Sequence, residues 1–208
     1  DGINHQGKRA SVVFIAVGTP PRADGSAGWC LMIGALQSGI AGAFLSDEAI
    51  EAVFGASRIP LVAGGLVPRG QARRVAGGYR LSGRWSYGSG CRHASWMLLT
   101  GIVPADDAHG DDSTNPLIPA GAEMRVFVKP IGEVEIHDCW HVAGLKATAS
   151  CDYSVQDAFV PDAFSFRFFD APRRGGALFQ LPGQTFVAPG HAGVALGVAR
   201  CALDDVTA

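Results

Sequence analysis

The sequence predicts an α+β protein: helices first, a middle antiparallel β-domain of barrel or sandwich form, and a helix at the end. Three observations predict it. Apolar side chains fall at helical spacing from Trp29 through Met32/Ile33, Leu36 and Ile40 to Phe44. Near Pro60 the period changes to two, and the chain becomes rich in Gly, Val, Tyr and Trp. Gly77-Gly78, between Arg73–Ala76 and Tyr79–Ser89, is a two-residue hairpin signal.

Taken in order, the chain opens with an apolar run, Val12–Val17, interrupted by Pro20 and Pro21. Residues 29–54 then predict a helical hairpin. Ser46 has the chemistry of an N-cap, Asp47 and Glu48 complement the helix dipole in the first turn, and Gly55 stops the second helix. Strands follow at Arg73–Ala76, Tyr79–Ser89 and Ser95–Val103. Pro104–Glu123 carries three prolines and four aspartates and reads as an exposed loop. Met124–Lys129, Val134–Trp140 and Tyr153–Val160 read as further strands. Regular short strands with turn signals suggest a small antiparallel barrel or sandwich. After Pro161 the chain is aromatic and irregular, and a last helix runs from about Val187. The expected division is 1–58 helical, 59–165 β, and 166–208 linker and helix.

Composition narrows the function. The chain has 208 residues, 17 basic and 19 acidic side chains, and a formal net charge of −2. Hydrophobic residues are 48% and charged residues 17%, against roughly 25% charged in an average soluble domain. Disorder needs the opposite balance. Nucleic-acid binding needs a basic excess, and there is none. Few charges with 28 glycines suggest a surface that something else covers. With a start at Asp1, the sequence reads as a piece of a longer protein. Two uncharged runs, Gly25–Ser46 and the stretch between Arg174 and Arg200, have the length of membrane spans. The second contains Pro182, Pro189, Gln180 and Gln184, and the first contains Gln37, Ser38 and five glycines, so both read as parts of a non-membrane protein. Five cysteines without a CxxC pair fit a reducing cytoplasm.

Several chemistries have no motif here: there is no GxSxG, HExxH, P-loop or complete GxGxxG. His137, Cys139 and His141 would share a strand face, but adjacent ligands on one strand rarely close a tetrahedral metal site. The cluster of Asp106, Asp107, His109, Asp111 and Asp112 reads as a solvated acidic loop. No metal is expected. The densest segment is Gly83 to His93. Trp85, Tyr87 and Ser89 alternate there, so they are expected on one face, with Gly88 and Gly90 allowing a flat ligand close to the backbone. Ring contacts and one hydroxyl suit a large planar heterocycle. The same stripe is also the ordinary pattern of a strand packed into a core.

These residues resemble a known family. Gly77 to Trp96 (GGYRLSGRWSYGSGCRHASW) resembles the β-domain signature of flavin-dependent monooxygenases of the acyl-CoA dehydrogenase-like fold, the two-component hydroxylases. Arg22–Trp29, Gly64–Gly70, Trp140–Ser150 and Phe159–Pro161 resemble other segments of that family. The resemblance covers about residues 22–208. It implies that the last helix starts a C-terminal helical bundle, and that flavin, FMN or FAD, lies between this bundle and the β-domain. It implies cofactor contacts at Trp85, Tyr87, Ser89, Gly90, Thr148 and Ser150. Ser89 would be the catalytic residue, hydrogen-bonded near the flavin N5. Trp29, Gln37 and Gly65 would be substrate-binding. Reduced flavin would come from a separate flavin reductase and react with O₂, hydroxylating a small aromatic or heteroaromatic substrate in a homotetramer.

Two positions depart from the family pattern. Gln37 stands where a helix histidine is frequent, and Gly65 where a serine is frequent. An amide is no base near pH 7, so the substrate or its chemistry is expected to differ. Two alternatives stay open: an acyl-CoA dehydrogenase or oxidase with bound FAD, and a non-catalytic flavin-binding relative.

Overall fold

The computed structural model describes residues 24–56, 59–116, 118–181 and 183–207. The run Val12–Val17, the Pro20-Pro21 break, Arg22, residue 58 at the expected domain boundary, and Pro182 lie outside the described residues.

Helix α1 spans Gly25–Phe44 and α2 spans Asp47–Phe54. Asp24 caps α1, its side chain accepting from the Ala27 amide, so the helix starts four residues before the predicted Trp29. Ser46 caps α2 as expected and accepts from the Ala49 amide at 3.2 Å. Gly55 ends it, its amide bonded to the Glu51 carbonyl. The carbonyls left over at the α1 end are met by Arg174, whose guanidinium donates to Gly42 and Leu45.

Among the described residues eight strands follow: β1 Val62–Gly64, β2 Gly70–Val75, β3 Gly78–Gly88, β4 Trp96–Val103, β5 Glu123–Pro130, β6 Glu135–His137, β7 Cys151–Pro161 and β8 Ser165–Arg167. They pair in the order β6-β7-β3-β2-β4-β5-β8, with β1 beside β4. This is a mixed α and β fold, as predicted, but the sheet is not wholly antiparallel. Strand β4 runs parallel to both β1 and β2. The reason is geometric: β1 pairs with Trp96–Leu98 and β2 with Gly101–Ile102, so the two short strands occupy successive stretches of the same β4 edge. The hairpin turn also falls one residue earlier than predicted. Val75 pairs with Gly78, leaving Ala76-Gly77 as the loop.

Two cores lie on opposite faces of the central strands. Period two sends Met97, Leu99, Val103 and Phe127 into one, with Tyr79, Leu81, Trp85 and Tyr153. It sends Leu98, Val126 and Val128 into the other, against Leu36, Ile40 and Val53 of α1 and α2. Burial on both faces explains why β4 carries apolar residues on both of them, with Thr100 as its one polar side chain. Ser38 of α1 also serves β1: its hydroxyl accepts from the Val62 amide at 3.1 Å and lies 3.3 Å from the Pro60 carbonyl.

The acidic loop is a partial correction. Asp112 is buried rather than solvated, accepting from the Met124 amide at 2.8 Å and from Arg167 at 2.7 Å. Glu123 is 0% exposed and pairs with Arg125 at 2.7 Å, with Arg167 at 3.4 Å from its other oxygen. The four side chains staple the loop to β5 and β8. Asp112→Asn keeps a carbonyl for Met124 but weakens the Arg167 bond. A loss of about 1.5–3 kcal/mol in chemical denaturation is expected, the usual worth of a hydrogen bond to a charged group.

Helix α3 spans Gly183–Thr207, beginning four residues before the predicted Val187, and accommodates Pro189 inside it. It packs on α1 through Val194 and Met32, with Trp29 and Ile33 beside them. Two segments, Gly25–Phe44 and Thr185–Thr207, are long and apolar enough to cross a membrane by composition; half of the first is buried inside the fold.

Candidate functional site

The end of β3 does not keep the predicted alternation. The β3–β7 register shifts between Trp85/Tyr153 and Gly88/Cys151, and Tyr87 adopts a left-handed φ of 65°. The irregularity turns the two aromatics apart. Trp85 is 1% exposed, stacks on Tyr153 at 5.5 Å and donates its indole N–H to the Thr100 carbonyl at 2.8 Å. Tyr87 is 70% exposed, with the Trp140 ring edge-on to it at 6.2 Å. Trp85, Tyr87 and Ser89 therefore do not share a face.

Beyond the irregularity the chain turns into Gly90, whose φ of 76° favours glycine, and the Gly90 amide donates to the Thr148 carbonyl at 2.8 Å. This bond brings Ser89 to the turn before β7. The Ser89 Oγ lies 2.7 Å from Ser150 Oγ, and Ser150 Oγ lies 2.7 Å from Thr148 Oγ1. Thr148 Oγ1 donates to the Leu145 carbonyl at 2.8 Å. At the other end, the Trp29 indole N–H donates to Ser89 Oγ at 2.9 Å. Three of the four described non-glycine residues with positive φ, Tyr87, Leu145 and Ala149, surround this chain of hydroxyls. Each such backbone costs of order 1 kcal/mol or more, and strain of this kind concentrates at ligand sites.

The two ends fix the direction of every bond between them. An indole N–H only donates and a carbonyl only accepts. Thr148 gives its proton to Leu145, so Ser150 must give its own to Thr148, and Ser89 must give its own to Ser150. Ser89 then has no proton left. One of its lone pairs holds the Trp29 N–H, and the other remains to accept from a ligand. Behind the relay sit Cys91 and Cys151, both buried. Burial, with the neighbouring Cys151, pushes the Cys91 thiol up to about 11, so it stays a thiol near neutral pH.

The remaining expected residues lie along α1. Gln37 is 3% exposed, and its amide N–H₂ donates to the Gly64 carbonyl at 3.2 Å while its carbonyl oxygen finds no partner among the described residues. Gly65 is half-buried and its carbonyl accepts from Thr100 Oγ1 at 2.7 Å. Three residues after Gln37, Ile40 reaches a cavity of about 800 Å³, and Leu66 and Val67, directly after Gly65, reach it too. Phe44, Phe166, Phe168, Phe179, Phe186 and Val187 also line it. It is apolar and aromatic, the character of a site for a flat organic molecule.

The structure thus joins Trp29, Ser89, Gly90, Thr148 and Ser150 in one network, sets Gln37 and Gly65 beside β1, and leaves Trp85 in the core. Sequence reasoning missed the Leu145 carbonyl, which no side chain announces, and His191, whose ring packs on Trp29 at 5.5 Å. His191 did carry a signal, as the lone titratable group in the run between Arg174 and Arg200. His137 and Cys139 have ordinary partners in Ser154 and the Asp152 amide. Among the described residues no group of three or more His, Cys, Asp or Glu side chains could hold a metal ion.

No family model matches the chain. It is 34% identical over 185 residues to an indole-3-acetate monooxygenase of Pseudomonas putida, covering 89% of this chain and 44% of that protein. It is 34% identical over 170 residues to the oxygenase component of an FADH(2)-dependent resorcinol hydroxylase of Rhizobium sp. (strain MTP-10005), covering 77% of this chain and 39% of that one. The crystal structure of 3-HSA hydroxylase from Rhodococcus sp. RHA1 superposes with a TM-score of 0.77 at 30% identity, over 92% of this chain and 48% of that one. The chain spans less than half the length of these relatives. Over the residues matched, it is a member of the flavin-dependent monooxygenase family.

Proposed function

We propose that the chain is the part of a flavin-dependent monooxygenase that holds the reactive edge of a reduced flavin, FMN or FAD, and one wall of the substrate pocket. The observation that carries this is the direction of the hydroxyl relay. Ser89 offers a ligand one acceptor and no donor. Reduced flavin carries a proton on N5 and oxidised flavin does not, so the site fits the reduced form. Bound there, reduced flavin supplies the electrons that activate O₂. This chain's residues bind and orient it: Ser89 and Gly90 at the ring edge, Thr148 and Ser150 behind them, and Tyr87 on the exposed side.

Gln37 supports a substrate class. It cannot remove a proton near pH 7, which favours a ring that is electron-rich while neutral. A heteroaromatic such as an indole fits this better than a phenol, and one relative is named for indole-3-acetate. Trp29 and Gln37 would face it from α1 and Gly65 from just after β1, with the aromatic cavity beyond. A separate flavin reductase would supply the cofactor, as the two-component scheme requires, and the assembly would be a homotetramer.

The acyl-CoA dehydrogenase alternative predicts tight binding of oxidised FAD, which the relay disfavours. We further propose that residues 59–165 form the β-domain, curled into a barrel or sandwich, between the end of an N-terminal helical domain at 1–58 and a linker with the first helix of a C-terminal helical domain at 166–208, with β8 carrying the sheet on to Arg167. Support comes from Lys129, which donates to the Phe159 carbonyl at 2.9 Å and so links β5 to β7, strands that are not neighbours in the pairing order. The five unpaired cysteines support a cytoplasmic setting.

The test is anaerobic titration of the intact protein with reduced and oxidised flavin, followed by admission of O₂ with indole-3-acetate. Tighter binding of the reduced form and a hydroxylated product are expected. A protein that is isolated with oxidised flavin and is bleached by an acyl thioester would overturn the proposal.

A further inference from the structure

The His191 ring stands perpendicular to the Trp29 indole, with centroids 5.5 Å apart and an interplanar angle of 85°. The pairing bridges two helices, since His191 lies on α3 and Trp29 on α1. Its Nδ1 is 2.9 Å from the Val187 carbonyl one turn back. A carbonyl only accepts, so Nδ1 carries the proton and the imidazole is locked in one orientation. One turn on, Val194 packs with Met32 of α1, and further on the Val198 side chain approaches Gly25. The helix pair thus holds the imidazole against the indole, and the indole delivers its N–H to Ser89 at 2.9 Å.

We propose that His191 is a positioning residue for the flavin site, acting through Trp29 on Ser89. The proposal rests on the reading of Ser89 as the flavin contact. The physical case is rotational. Trp29 is half-buried, and its N–H donates to Ser89 in the setting that the structure shows. That N–H is the donor that sets the polarity of the relay. A ring packed edge-to-face against the indole favours that setting over the others. An aromatic pair of this geometry shifts a population about two- to tenfold. Val187, whose carbonyl locks His191, also lines the aromatic cavity, so the same turn of α3 touches both the substrate side and the relay.

The experiment measures reduced-flavin affinity of the intact protein and of its His191→Ala, His191→Phe, Trp29→Phe and His191→Ala/Trp29→Phe variants, with melting temperatures alongside. His191→Ala should weaken reduced-flavin binding two- to tenfold. His191→Phe should restore most of it, because a phenyl ring makes the same contact without either nitrogen. In the Trp29→Phe background, which has no N–H for Ser89, His191→Ala should cost nothing further. A loss that is as large in that background as in the wild type would show a general packing role and overturn the proposal. So would a His191→Phe variant as impaired as His191→Ala, or no loss in His191→Ala. Ser89→Ala separates the two levels: if it leaves reduced-flavin affinity unchanged, the underlying reading fails. If it weakens binding while His191→Ala does not, only the role of His191 fails.

Discussion

Replacing Trp85 by alanine will destabilise the fold by about 3–5 kcal/mol, the range for truncating a buried aromatic. The indole is 1% exposed, stacked on Tyr153, and fills a slot that two glycines leave open. A Cβ at Gly83 would sit 2.7 Å from the Trp85 ring and one at Gly70 2.6 Å from it. Truncation therefore opens a cavity that rigid strands on both sides cannot close. Trp85→Phe is expected to cost less, about 1–3 kcal/mol, from the smaller ring and the loss of the N–H to Thr100. Tyr87→Ala, two residues on, should stay within about 0.5 kcal/mol because its ring is exposed. Urea denaturation of the three variants checks the order. A Trp85→Ala protein as stable as Tyr87→Ala would mean that the ring lies at the ligand face after all.

The contrast between these neighbours shows where sequence reasoning reached its limit. Alternation put Trp85 and Tyr87 on one face because period two is the rule for a regular strand. The irregularity that separates them is imposed by β7, some sixty residues away, and no local residue specifies it. The parallel pairing of β4 with β2 was hidden for the same reason: both strands were legible alone, but not that they are neighbours. Strands β1 and β8, three residues each, are too short to show a period. What was legible was written locally. Ser46 and Gly55 carry their own capping chemistry, and the apolar stretches Met97–Leu99 and Val126–Val128 announce β4 and β5. Asp112 looked like its acidic neighbours, and only the approach of Arg167 from β8 makes it an inside residue. The candidate site divides likewise. Ser89 stood out among its glycines, whereas Thr148 and Ser150 were reached through the family resemblance, and Leu145 enters through a backbone atom.

Removing the second hydroxyl of the relay should change which flavin the protein prefers. In Ser150→Ala the Ser89 proton loses its acceptor and becomes free to point at a ligand. Oxidised flavin, whose N5 accepts, then gains a donor. Reduced flavin, whose N5 donates, must hold Ser89 against its own unpaired proton. A hydrogen bond contributes about 0.5–1.5 kcal/mol net. The ratio of reduced to oxidised affinity should therefore fall by up to about tenfold, with the oxidised form gaining. Ser89→Ala acts differently. It removes the acceptor for both the ligand and the half-buried Trp29 N–H, whose loss of a partner costs about 1 kcal/mol. That variant should bind both forms weakly and melt at a lower temperature. Thr148→Val should lie between, because Ser150 keeps a proton with nowhere to go but remains able to accept from Ser89. The measurement is the pair of dissociation constants for each variant of the intact protein, oxidised by fluorescence quenching and reduced under anaerobic conditions. If Ser150→Ala and Ser89→Ala shift the two constants equally, the hydroxyls only fill space. If Ser150→Ala alone turns the preference toward oxidised flavin, the direction of the relay, fixed by an indole at one end and a left-handed leucine carbonyl at the other, is what selects the redox state.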